Sequence, residues 1–211
     1  MNKQVLKSVL ATALMTAGAA QASSISYYLD QSNALPDNAN YLMVTIADGL
    51  SDAIDFTVQT LGLLAPGSNF GIQKFSFNGP ALTAANVIGL PDNWTMNVAS
   101  SISEFGKYIN NEAGKGGGRV DPLTFSIVGI AGDKPEDYAV AAAPGLEFFT
   151  AHVAGFTNFG RVNSTYFGGS SLVVPPSSVV PVPAAAWLLI SGMVGLVTVS
   201  RRRQTVSALA V

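Results

Sequence analysis

Across residues 41–167 the chain alternates apolar and polar side chains in short runs, and glycine, proline or aspartate interrupts it about every ten residues. A period of two puts every second side chain on one face of a strand, and the interruptions come too often for long helices. Leu42, Val44 and Ile46 alternate with Tyr41, Met43 and Thr45, and Ile54, Phe56 and Val58 alternate with Asp55, Thr57 and Gln59. Between them Asp48-Gly49-Leu50-Ser51-Asp52 has the residues of a hairpin turn. The same reasoning predicts strands at 70–77, 94–99, 102–109, 123–130, 147–153 and 162–167, with turns at Pro66-Gly67, Gly79-Pro80, Pro91-Asp92-Asn93, Gly114-Lys115-Gly116-Gly117-Gly118 and Pro144-Gly145. Many short strands with such turns predict an all-β fold, a β-sandwich or jelly-roll-like domain over 41–167. Only 135–143 suggests a helical turn. Residues 23–40 read as an N-terminal lead segment outside the sandwich, and 168–183, rich in Ser, Gly and Pro, as a flexible stalk.

The chain has no cysteine. Disulfides, zinc–thiolate sites, thiol nucleophiles and thiol redox chemistry are therefore excluded, and the domain must be held by its core alone. All 13 acidic residues fall between Asp30 and Glu147, against six basic ones over the same domain, Lys74, Lys107, Lys115, Arg119, Lys134 and Arg161. A net charge of about −7 argues against nucleic acid or an anionic membrane surface as partner.

Both ends of the chain have a different character. Residues 1–22 combine Lys3 and Lys7, an apolar stretch of about a dozen residues and the small-x-small site Ala20-Gln21-Ala22. This is the pattern of a secretory signal peptide, so signal peptidase is an expected partner and Ser23 the expected first residue after cleavage. At the other end, residues 184–199 carry no charge and only Ser191 and Thr198 as polar side chains. As a helix they span about 24 Å, a little short of the ~30 Å hydrocarbon core of a bilayer. Trp187 sits near one end, and Arg201, Arg202 and Arg203 follow the other. Clustered arginine beside an apolar span favours the cytoplasmic side, which predicts a single transmembrane helix over 184–200, a cytoplasmic tail over 201–211 and the sandwich outside. Before the helix, Pro181 and Pro183 lack amide hydrogens and hold Val180 and Val182 extended, the backbone form that a protease binds.

Val180-Pro181-Val182-Pro183-Ala184, the apolar run and the arginine block, in that order, closely resemble the PEP-CTERM sorting signal in its VPLPA-type variant. Val182 stands where that variant has leucine, and the usual PEP-CTERM glutamate is absent. The resemblance covers about 25 residues. It implies a Gram-negative bacterium that makes exopolysaccharide, and a membrane-embedded, cysteine-protease-like exosortase that recognises the motif. The expected course is export across the inner membrane, transient anchoring, then display at the cell surface or release. Leu123-Thr124-Phe125 and Phe149-Thr150-Ala151-His152-Val153 are also similar to segments of ectodomains found on such proteins, a likeness that brings no activity with it.

Within the domain the motifs of catalysis are sparse. His152 is the only histidine, and its alternation places it with Leu146, Phe148 and Thr150 on one strand face. No G-x-S-x-G elbow is present, since Gly49-Leu50-Ser51-Asp52-Ala53 lacks the last glycine. The glycine run at 114–118 lacks phosphate-loop spacing and reads as a hairpin tip. Glu104, Glu112, Glu136 and Glu147 fall where loops and strand edges are expected, so no catalytic carboxylate pair is legible. The reading is a non-enzymatic protein with no catalytic, cofactor or metal residues, associated with exopolysaccharide. The alternative is a lectin-like carbohydrate-binding module, with Trp94, Asn93 and Asn97, or Tyr166 and Asn163, as its sugar contacts, and calcium held by Asp48, Asp52 and Asp55.

Overall fold

The computed structural model describes residues 23–102, 104–114 and 117–173. The expected signal peptide with Ala20 and Ala22, the motif Val180 to Ala184, the expected transmembrane helix over 184–200 and Arg201, Arg202 and Arg203 lie outside these residues. The described chain is all-β and forms two six-stranded antiparallel sheets. In spatial order the first is β12 (Ser171–Leu172), β1 (Ser24–Leu29), β3 (Leu42–Asp48), β4 (Ile54–Thr60), β9 (Leu123–Ile127) and β6 (Val87–Ile88). The second is β2 (Gln31–Ser32), β11 (Val162–Gly169), β10 (Phe149–Phe159), β5 (Pro66–Phe77), β8 (Gly106–Gly114) and β7 (Trp94–Ile102).

The alternation in the sequence becomes the inner face of each sheet. Leu42, Val44 and Ile46 are fully buried on β3, as are Ile54, Phe56 and Val58 on β4 beside it, while Asp55 faces solvent. Phe75 and Phe77 on β5, with Phe149, Ala151 and Val153 on β10, supply the facing layer. Phe56 joins the layers: its ring stacks on Phe125 of its own sheet at 4.8 Å and meets Phe77 of the other at 5.0 Å. Tyr27 and Phe149 approach to 5.4 Å across the same interior. Aromatic pairs at these separations add specific attraction to the apolar area they bury. The β3–β4 turn places Ser51 and Asp52 at φ 57° and 56°, left-handed backbone that aspartate tolerates better than bulky residues. The helical turn expected at 135–143 is a single 3-10 turn, Pro135–Tyr138, which Asp137 caps by accepting from the Lys134 amide at 2.9 Å. It drives Tyr138 into the core, edge-on to Phe56 at 5.6 Å.

The domain is larger than 41–167. The lead segment expected at 23–40 contains β1, which pairs with β3 from Ser24↔Ala47 to Leu29↔Leu42, and β2 at the edge of the second sheet. Its alternation of Ile25, Tyr27 and Leu29 supplies the physical reason, because these side chains pack on the core. The stalk expected from 168 onward likewise starts inside the fold: Gly168 and Gly169 end β11, and Ser171–Leu172 pairs with β1. Glycine is required there because a β-carbon on Gly168 would strike the Phe105 ring and one on Gly169 the Tyr28 carbonyl. The strand expected at 102–109 is instead broken: β7 ends at Ile102, and β8 begins at Gly106 after a turn through Glu104 at φ 74°.

Candidate functional site

Three places in the domain gather polar chemistry. The first is a cleft of about 760 Å³ at the β3–β4 hairpin, lined by Asp48, Asp52, Asp55, Asp133 and Lys134 among others. Asp48 pairs with Ile54 and Asp55 with Ala47, so alternation sends their carboxylates to opposite faces of the hairpin. Each is then tied elsewhere. Asp48 Oδ2 accepts from the Ser23 amide at 2.8 Å, Asp55 Oδ1 from the Ser126 hydroxyl at 2.6 Å, and Asp133 Oδ2 from the Tyr138 hydroxyl at 2.5 Å. The expected calcium set Asp48, Asp52 and Asp55 does not converge, and among the described residues no three His, Cys, Asp or Glu side chains are placed to share a metal ion.

The second place is the outer face of the second sheet. Phe75, Phe77, Phe149 and Ala151 point inward, so Lys74, Ser76, Thr150 and His152 point outward. His152 is paired with Lys74 on one side and Tyr166 on the other. Its Nε2 lies 2.8 Å from the hydroxyl of Ser164, its diagonal neighbour on β11, and its ring lies 4.6 Å from that of Tyr166. The register between β5 and β10 shifts after His152, leaving Gln73 unpaired between Ile72 and Lys74. Such bulges re-aim the side chains beside them. Arg119 approaches here because its neighbour Val120 bridges to Ile72. Its Nη1 donates to the Asn69 carbonyl at 2.9 Å, while its Nε is buried without a partner. Burial lowers the His152 pKa to about 4, and the positive charges of Lys74 and Arg119 push the same way. The imidazole is therefore neutral at neutral pH.

A serine–histidine hydrogen bond is one element of nucleophilic catalysis, and no motif around Ser164 marks it as the partner of His152. The charges acting on this histidine are both cations, whereas a triad needs a carboxylate that stabilises the imidazolium. The arrangement presents donors and positive charge. It suits holding an anion better than generating an alkoxide.

The third place is internal. Glu112 is opposite Phe75 on β5 and Met96 on β7, so its carboxyl enters the sandwich. It is 0% exposed, and neither oxygen has a hydrogen-bond partner. Two residues earlier, Asn110 Oδ1 is also buried without a donor, while its amide group donates to the Pro80 carbonyl at 3.2 Å. Burial raises the Glu112 pKa from 4.5 to about 7. This corrects the expectation that Glu112 lies in a loop or at a strand edge.

Both proposed sugar platforms change. Trp94 is only 6% exposed, and its indole N–H donates to the Gly118 carbonyl at 2.5 Å, so Trp94 belongs to the core and is no surface beside Asn93 and Asn97. Tyr166 is half-buried on the outer face, but Asn163, three residues away on the same strand, leaves the opposite face. The aromatic that remains accessible stands with His152, Ser164 and Lys74. Among the described residues no helix is long and apolar enough to cross a membrane. Compared with known proteins, the chain matches no family model, no curated protein and no solved structure.

Proposed function

We propose that this chain is an exported surface or extracellular-matrix protein of a Gram-negative bacterium, a non-enzymatic β-sandwich carried by a PEP-CTERM-type sorting signal and associated with exopolysaccharide. The observation that carries the reading is the order of the C-terminal elements: Val180-Pro181-Val182-Pro183-Ala184, then an uncharged run, then Arg201, Arg202 and Arg203. Signal peptidase removes residues 1–22 after Ala22. The helix over 184–200 then holds the chain in the membrane with the arginines inside, and an exosortase-like enzyme processes it at residues 180–184. The domain is suited to this course, since its core is assembled from strands between Ser24 and Leu172 and needs no disulfide. The test is the intact mass of the extracellular form. A mass ending near Pro181 to Ala184 supports sorting and processing; a mass that includes Arg203 leaves an anchor only and overturns the reading.

A second reading, a carbohydrate-binding module, draws support from the outer face of the second sheet, where Tyr166 stands among hydrogen-bonding groups. The hairpin lends no support to a calcium requirement, since Asp48 and Asp55 accept from different donors.

A further inference from the structure

We propose that the outer face around Lys74, Arg119, His152, Ser164 and Tyr166 is a binding site for a carboxylate-bearing sugar. The electrostatic argument comes first. In a domain of net charge about −7, two of the six basic residues and the only histidine meet at one point of one sheet. Like charges held together in a folded protein cost free energy unless a counter-charge joins them, and a ligand carboxylate supplies it.

The donors are in place. When the Ser164 hydroxyl donates to Nε2 across 2.8 Å, the neutral imidazole carries its proton on Nδ1 and becomes a donor. Arg119 adds a second positive charge beside it, its Nη1 anchored on the Asn69 carbonyl at 2.9 Å. Lys74 is the direct cross-strand partner of His152, so the ammonium and the imidazole leave the same face of adjacent strands.

The uncharged surroundings select for a sugar. Tyr166 offers an aromatic side on which the C–H face of a pyranose ring can lie, and it is supported from behind by Phe105 and Tyr108. Further along the same sheet face Asn111 is buried and accepts from the Ser76 hydroxyl at 2.8 Å, so the polar groups open to a ligand are those around His152. Two cations in an acidic domain are too few for a nucleic acid or another dense polyanion. They suit a single acidic sugar within a sparsely charged chain.

The proposal deepens the polysaccharide association above, and its outcome is independent of how the tail is processed. The experiment is calorimetric titration of the full-length chain with digalacturonate, with the dimethyl ester of the same disaccharide, and with inorganic phosphate. The expected result is binding of the acid, at least about tenfold weaker binding of the ester, and no displacement by equimolar phosphate. Lys74→Gln and Arg119→Gln each weaken the acid about tenfold, and Tyr166→Ala weakens acid and ester alike; Lys134→Gln, remote from this face, changes neither. Unchanged thermal unfolding certifies each variant, and Lys74→Gln keeps the test sharp if Arg119→Gln misfolds. Equal affinity for acid and ester, no binding of the acid, displacement by phosphate, or full affinity in folded Lys74→Gln overturns the proposal. A chain cut near Pro181 that fails to bind the acid retains the sorting reading and loses this one.

Discussion

Replacing Glu112 with glutamine should make the domain more stable at neutral pH, and the gain should disappear in acid. The carboxyl is fully buried between Phe75 and Met96 with no donor to either oxygen, so its charged form has neither water nor a partner. Its pKa is about 7 in the folded chain against 4.5 for the free group. The folded state therefore binds a proton that the unfolded state has released between pH 4.5 and 7, and stability falls as pH rises through that window. At 1.36 kcal/mol per unit the loss approaches about 3 kcal/mol, complete above pH 7 and absent below pH 4.5. Glutamine removes the ionisation while keeping nearly the same shape. Urea unfolding of wild type and Glu112→Gln across pH 4.5 to 8 measures the difference, which cancels the titration of every other carboxylate. The curves should meet near pH 4.5 and separate by about 3 kcal/mol at pH 8, or about 6–12 °C in Tm for a domain of this size. Parallel curves over the whole range would refute the argument, and would mean that Glu112 is hydrated or paired in solution.

Phe56→Ala should cost about 3–5 kcal/mol, read from the urea midpoint, because Phe56 touches rings of both sheets at once. Gly168→Ala should destabilise by about 1–3 kcal/mol by forcing the Phe105 ring aside, and by much less in a Phe105→Ala background; additive effects in the double-mutant cycle would show that the two sites do not touch. Calcium or a chelator should leave the melting temperature unchanged, since the carboxylates of Asp48, Asp55 and Asp133 each accept from a different donor; a rise of several degrees with calcium would mean that the hairpin rearranges around the ion.

How much of this could be read from the sequence depended on range. Leu42-Val44-Ile46 and Ile54-Phe56-Val58 were legible because a half-buried strand writes its two faces directly into the alternation. Ser24–Leu29 carries the same signal in Ile25, Tyr27 and Leu29, and was obscured by the polar, proline-containing stretch after it. Gly168 and Gly169 look like linker residues until Phe105 and Tyr28, far away in sequence, are seen to occupy the space of their side chains. The outer-face cluster is less legible still. Lys74, Arg119, His152 and Ser164 lie on separate segments, and only strand pairing and one bulge bring them together. Trp94 and Glu112, one read as a surface sugar contact and the other as a loop or edge residue, are both buried, since burial is decided by which neighbours a strand acquires and not by the polarity of the residue.

The strand order also governs when the fold can close. β10, residues 149–159, pairs directly with β5 and carries Phe149 and Val153 into the interior, while β1, at the start of the domain, is flanked by β12, its last strand. A chain that emerges N-terminus first, from a ribosome or through a narrow pore, thus has β5 available long before the strand that completes its sheet. Until residue 159 has come through, Phe75 and Phe77 lack the strand beside them, and until residue 172 β1 has an open side. Both sheets are therefore complete only when the whole domain has emerged, since each takes strands from both ends of the described chain.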